Sequence, residues 1–110
     1  MNKVFLMGRL TKDPESFGSG EGTTSVVRYS LAVDRPRFKK DEDPVTDFIN
    51  VVAFGKSADF AKEYLKKGTK ILLTGRIQTG NYVNKDGAKI YTTDIVAEQQ
   101  EFAESKKNTE

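Results

Sequence analysis

The chain has 110 residues, enough for one domain with a single core. Its 18 Lys and Arg against 16 Asp and Glu leave a formal charge of +2, too small to indicate a partner by itself. It has no cysteine and no histidine, which excludes disulfide scaffolds, thiolate or imidazole zinc sites, cysteine nucleophiles and any acid–base pair needing an imidazole.

In chain order, Lys3 to Leu10 reads as a first strand, ended by the turn chemistry of Asp13-Pro14. The opening MNKVFLMGRL is too short, and too broken by Gly8 and Arg9, for a secretory signal. No apolar run approaches a membrane span, so a cytoplasmic protein without membrane partners is the default expectation. Ser16 to Thr24 holds three glycines in nine residues and reads as a loop. Ser25 to Asp34 alternates, with Val27, Tyr29, Leu31 and Val33 on one face and Arg28 and Ser30 on the other, as a half-buried strand does.

Arg35 to Thr46 is a charged connection with prolines at 36 and 44, long enough to suggest a working loop. Charge is distributed unevenly around it. Residues 1–40 carry 8 Lys and Arg against 4 acids, a net of +4, whereas residues 41–110 carry 10 against 12, a net of −2. Arg35, Arg37, Lys39 and Lys40 surround Phe38, and Asp41, Glu42 and Asp43 follow as a solvated acidic run rather than a metal site.

The third strand is the most telling segment. In DFINVVAF, Ile49, Val51 and Ala53 project one way and Phe48, Asn50, Val52 and Phe54 the other, because strand side chains alternate. Phenylalanine is usually buried, so a core role for both rings is the competing reading. The aliphatic opposite face favours a second one, in which rings on an open sheet, with cations around them, stack unpaired nucleobases. Phe48 and Phe54 would then stand about 20 Å apart along the strand, too far to close one small pocket.

Between Phe54 and Thr69 the period changes to that of a helix, with Ala58, Ala61 and Leu65 as a stripe and Phe60 and Tyr64 beside it. Ser57 is expected as N-cap and Gly68 as the residue after the C-cap, with Asp59 at the positive end and Lys66 and Lys67 at the negative end. Lys70 to Tyr82 returns to strand, bent at Gly75 and Gly80, and Lys89 to Ala97 is the last strand. Tyr29, Phe60 and Tyr64 belong to the core or the helix seam. After Phe102, AESKKNTE shows no apolar periodicity. The expected domain is therefore 1–103, with 104–110 a flexible end. The order strand, strand, strand, helix, strand, strand predicts an all-β fold with one short helix: the five-stranded Greek-key OB barrel, its helix joining strands three and four.

With these segments in place, the chain resembles the bacterial single-stranded DNA-binding protein family over roughly residues 2–102. The likeness runs through MNKVFLMGRLTKDPE, YSLAVDR, FINVVAFGKSADFAKEYLKKG, GRIQTGNY and GAKIYTTDIVA in that order. It implies an OB-fold, single-stranded DNA binding without sequence preference in replication, repair and recombination, a homotetramer and no catalysis or cofactor. By position, Phe48 and Phe54 fall where the family stacks bases, Tyr82 where its fourth strand offers another ring, and Phe38 near a further stacking position. Lys3, Lys56 and Lys67 fall where cations line the DNA path. Arg28, Arg35, Arg37, Lys39, Lys40, Lys56 and Arg76 would track phosphates, and Asn50 projects with the rings.

Gln78 and Gly80 stand where the family often has arginine. The family usually ends in an acidic tip finishing in Pro-Phe, whereas this chain stops at KKNTE, so recruitment of protein partners through a tail is not claimed. Other readings remain: a primosome-type accessory, an RNA-binding OB protein, or a protein-interaction module on the same scaffold.

Overall fold

Strands with one buried and one open face give this molecule its shape. The computed structural model describes residues 1–17, 26–36, 40–41 and 43–104. Within them the elements are β1 (Val4–Leu10), β2 (Glu15–Phe17), β3 (Val26–Asp34), β4 (Thr46–Phe54), α1 (Gly55–Tyr64), β5 (Lys70–Val83) and β6 (Lys89–Phe102). The sheet order is β1-β5-β6-β4-β3-β2, and β1 also pairs with β3, so the five long strands close on themselves. β3 and β4 form a continuous antiparallel ladder from Val26 opposite Phe54 to Asp34 opposite Thr46. β4 meets β6 in parallel at Val51 with Ile95 and Val52 with Val96. This is the expected OB barrel, with the helix between its third and fourth long strands.

Closure needs two places where backbone approaches backbone too closely for a side chain. A Cβ on Gly75 would run into the carbonyl of Val96, and one on Gly8 into the carbonyl of Ala32. Inside the barrel lie Leu10, Val27, Tyr29, Leu31, Val51, Ala53, Ile71, Leu73, Ile95 and Ala97, joined by Ala58 and Ala61 of the helix and Leu65 just past its end. The helix stripe read from the sequence is thus the face that packs on β3, β4 and β6. Tyr29 reaches through this layer: its hydroxyl donates to Gln100 Oε1 at 2.7 Å, and Gln100 Nε2 donates to the Ser57 carbonyl at 3.0 Å. Burial pushes the Tyr29 hydroxyl well above its ordinary pKa.

Several local expectations are corrected. Glu15–Phe17, read partly as loop, is a three-residue strand against β3. Ser57 is not the N-cap: β4 runs in extended conformation to Phe54 and the helix starts at Gly55 without a side-chain cap. Asp59 therefore lies past the first turn, and Lys66 and Lys67 lie beyond the last. Leu65 is the C-cap, and Gly68, with φ 87°, serves the turn that follows. β6 continues five residues beyond Ala97, to Phe102, whose ring packs 5.9 Å from that of Phe60. Chain order is kept past the strand as well: the Ala103 N–H donates to the Lys70 carbonyl, and Arg9 holds the Glu104 carboxylate. Residues 105–110 of the predicted flexible end lie outside the described residues.

β5 and β6 outrun the barrel. β1 pairs with β5 only as far as Gly75, and the ladder between β4 and β6 runs only through Ile95 and Val96. From Gln78 to Val83 and from Lys89 to Asp94 the recorded pairing is of the two strands with each other, forming an arm. At its root the Asn2 side chain replaces a strand neighbour, accepting from the Ile77 N–H and donating to the Ile77 carbonyl.

Candidate nucleic-acid interface

The alternation in β4 survives folding. Val51 and Ala53 are 1% and 0% exposed, while Phe48 is 68% and Phe54 43% exposed, with Asn50 open between them. Val52 shares the outer side yet is buried, and so is Val96 opposite it on β6. Neither belongs to the main core cluster; they form a small apolar floor on the outside of the sheet.

Strand register extends that floor into a row. Arg28 of β3 faces Val52, Val52 faces Val96, and Val96 faces Arg76 of β5. Three strand spacings separate the two arginines, roughly 14 Å. The next row holds Ser30 opposite Asn50 and Asp94 opposite Gln78. Further out on β5, Gly80 and then Tyr82 occupy the same side, and Tyr82 is well exposed on the arm. Phe48, Asn50, Phe54, Tyr82, Arg28 and Arg76 are therefore brought onto one surface. An open groove of about 200 Å³ beside Arg28 and Asn50 carries it toward β2, with Lys12, Glu15 and Ser30 among its lining residues.

Cations border this surface, but in company. Arg28 Nη1 is 3.6 Å from Asp94 Oδ2, Lys3 Nζ is 2.6 Å from Glu98 Oε1, and Arg76 Nε is 4.0 Å from Glu98 Oε2. Arg76 also donates to Gln78 Oε1. Arg35 grips Asp47 with two hydrogen bonds of 2.9 Å, next to Phe48, and this holds the Asp47 carboxyl below its ordinary pKa.

The remaining predicted residues are placed apart. Lys56 is exposed in the first turn of α1, two residues after Phe54. Lys67 sits in the connection to β5, its N–H bonded to Asp13, away from the strand rows. Lys40 is exposed in the β3–β4 connection, whereas Arg37, Phe38 and Lys39 lie outside the described residues. Two acids were missed, Asp94 and Glu98. The alternation of Ile90, Thr92, Asp94 and Val96 could have placed the first, but Glu98 depends on a ladder irregularity that no periodicity shows. Tyr91, 73% exposed on the reverse side of the arm with Lys89 Nζ 5.9 Å from its ring, was also not singled out.

A closed barrel with bare rings and paired cations on one sheet face has the build of an OB-type nucleic-acid-binding domain. The chain belongs to the single-strand binding protein family, whose family model matches residues 1–103. It is 50% identical over 106 residues to the single-stranded DNA-binding protein of Clostridium perfringens, covering 96% of this chain and 67% of that protein. Single-stranded DNA-binding protein 3 of Clostridium acetobutylicum is 51% identical over 105 residues, 94% of this chain and 72% of its own length. The single-stranded DNA-binding protein of Fusobacterium nucleatum is 49% identical over 109 residues, covering 96% and 69%. Membership makes this a binding protein rather than an enzyme. Among the described residues, no helix is long and apolar enough to cross a membrane.

Proposed function

We propose that residues 1–103 bind single-stranded DNA without sequence preference, coating it in replication, repair and recombination in the cytoplasm. The observation that carries this is the contrast across β4: Phe48 and Phe54 stand bare while Val51 and Ala53 of the same strand are sealed. Each base stacked on Phe48, Phe54 or Tyr82 contributes roughly 1–3 kcal/mol, and any base will serve because every base has a π-face. Lys3, Arg28, Arg35, Arg76, Lys40 and Lys56 meet the phosphates, and Arg37, Phe38, Lys39 and Lys67 would extend the path. A duplex hides its base faces, so it offers these rings nothing to stack on.

The test is a titration of labelled oligo-dT and of a duplex of equal length, with an RNA oligomer alongside. Tight binding to oligo-dT and poor binding to duplex are expected. Phe48→Ala combined with Phe54→Ala should cost at least about tenfold in affinity, or about 1.4 kcal/mol, with an unchanged melt. Undiminished binding by that variant would remove the stacking reading.

We further propose that the chain works as a homotetramer. β1 pairs with β3 only at Arg9 and Leu10, leaving the edge from Val4 to Met7 without a paired strand among the described residues, and Phe5, Met7 and Leu72 are exposed beside it. Such an edge pairs readily with a symmetry mate. Light scattering should return four times the mass of the chain; a monomer would refute the assembly.

A further inference from the structure

The outer sheet face carries anions as well as cations, and they are built in. Asp94 and Glu98 flank Val96 on β6, in the middle of the surface bounded by Arg28 on one side and Arg76 on the other. Glu98 stands where the β5–β6 ladder slips: Thr74 faces Gln99 but Gly75 faces Ala97, so Glu98 has no register partner. An extra residue of this kind re-aims its side chain. Here it brings one carboxylate to two cations, with Oε1 on Lys3 and Oε2 toward Arg76, while Asp94 engages Arg28. Three cations on the proposed phosphate path thus already hold an oxygen anion.

A guanidinium or ammonium presents the same donors to a carboxylate as to a phosphate. DNA arriving at Arg28, Arg76 or Lys3 must either displace the resident carboxylate or settle beside it against like-charge repulsion. In both cases part of the attraction has been spent inside the protein. Fewer solution counterions are also released, since the cation was neutralised by Asp94 or Glu98 rather than by salt.

We infer that Asp94 and Glu98 are affinity-limiting residues that compete with DNA phosphates for Arg28, Lys3 and Arg76. The inference rests on the single-stranded DNA reading and adds to it a pair of residues that weaken the hold. Their removal should tighten binding, the opposite of what loss of a contact residue does.

The experiment measures oligo-dT affinity over a series of salt concentrations for the intact chain, Asp94→Asn, Glu98→Gln and the double variant. Glu63→Gln, the same charge change on the exposed side of α1, reports the effect of net charge alone. At low salt each site variant should bind roughly two- to fivefold tighter than the control, the size of an exposed ion pair. The slope of log affinity against log salt should steepen by about 0.7 for each cation freed on a single strand. Equality with Glu63→Gln, or weaker binding with an unchanged slope, would overturn the inference and leave the stacking reading standing. Failure of the intact chain to bind oligo-dT would remove both.

Discussion

Tyr29 and Phe48 are rings on neighbouring strands with opposite fates, and their neighbours decide which. Tyr29 points inward, where its hydroxyl needs a partner and finds Gln100. Phe48 points outward, opposite Ala32, a side chain too small to cover it. Tyr29→Phe would leave Gln100 Oε1 short of a donor in a partly buried layer, a cost of about 1–2 kcal/mol. Urea unfolding should therefore show a lower midpoint, with oligo-dT affinity unchanged because no outward residue has moved. Arg35 acts at the same scale: its two bonds to Asp47 fix the start of β4 immediately before the first exposed ring.

At the scale of elements, strands and helix form for reasons the sequence displays, and their ends do not. Alternation in SVVRYSLAVD and DFINVVAF gave the faces of β3 and β4, because a period of two has one solution when one side is buried. The helix stripe was equally plain, but its start lies three residues earlier than Ser57 suggests, because Ser57 looks like a cap and β4 simply runs on to Phe54. Val52 was read as part of the open face; register alone shows that Val96 lies against it. Glu98 was unreadable for the same reason, since a slipped ladder leaves no trace in hydrophobic spacing. Gly75 and Gly80 both read as bends in the sequence, yet they differ. Gly75→Ala forces its methyl group into a backbone carbonyl and should cost about 1–3 kcal/mol. Gly80→Ala meets only the movable Thr92 hydroxyl, 3.2 Å away, and should cost distinctly less in the same thermal melt.

For the molecule as a whole, two exposed arginine–carboxylate pairs tie distant parts of the chain. Arg35 joins the start of the β3–β4 connection to β4, and Arg9 joins β1 to Glu104. In each pair the hydrogen bond to arginine lowers the folded pKa of the acid. A lowered folded pKa gives stability that is present above the unfolded value, about 4, and is lost as pH falls through the folded one. The melting temperature should thus hold between pH 7 and 5 and decline below about pH 4. Asp47→Asn should make that decline shallower, and 1 M salt should erase most of the difference, because pairs in solvent are readily screened. The hairpin arm belongs to this scale too. Since, among the described residues, its rungs beyond Gln78 and Asp94 pair only with each other, its tip can be lengthened, shortened or reshaped without asking any barrel strand to change. Evolution, or a designer, can retune where Tyr82 is delivered as one fits a new tool to an unchanged handle.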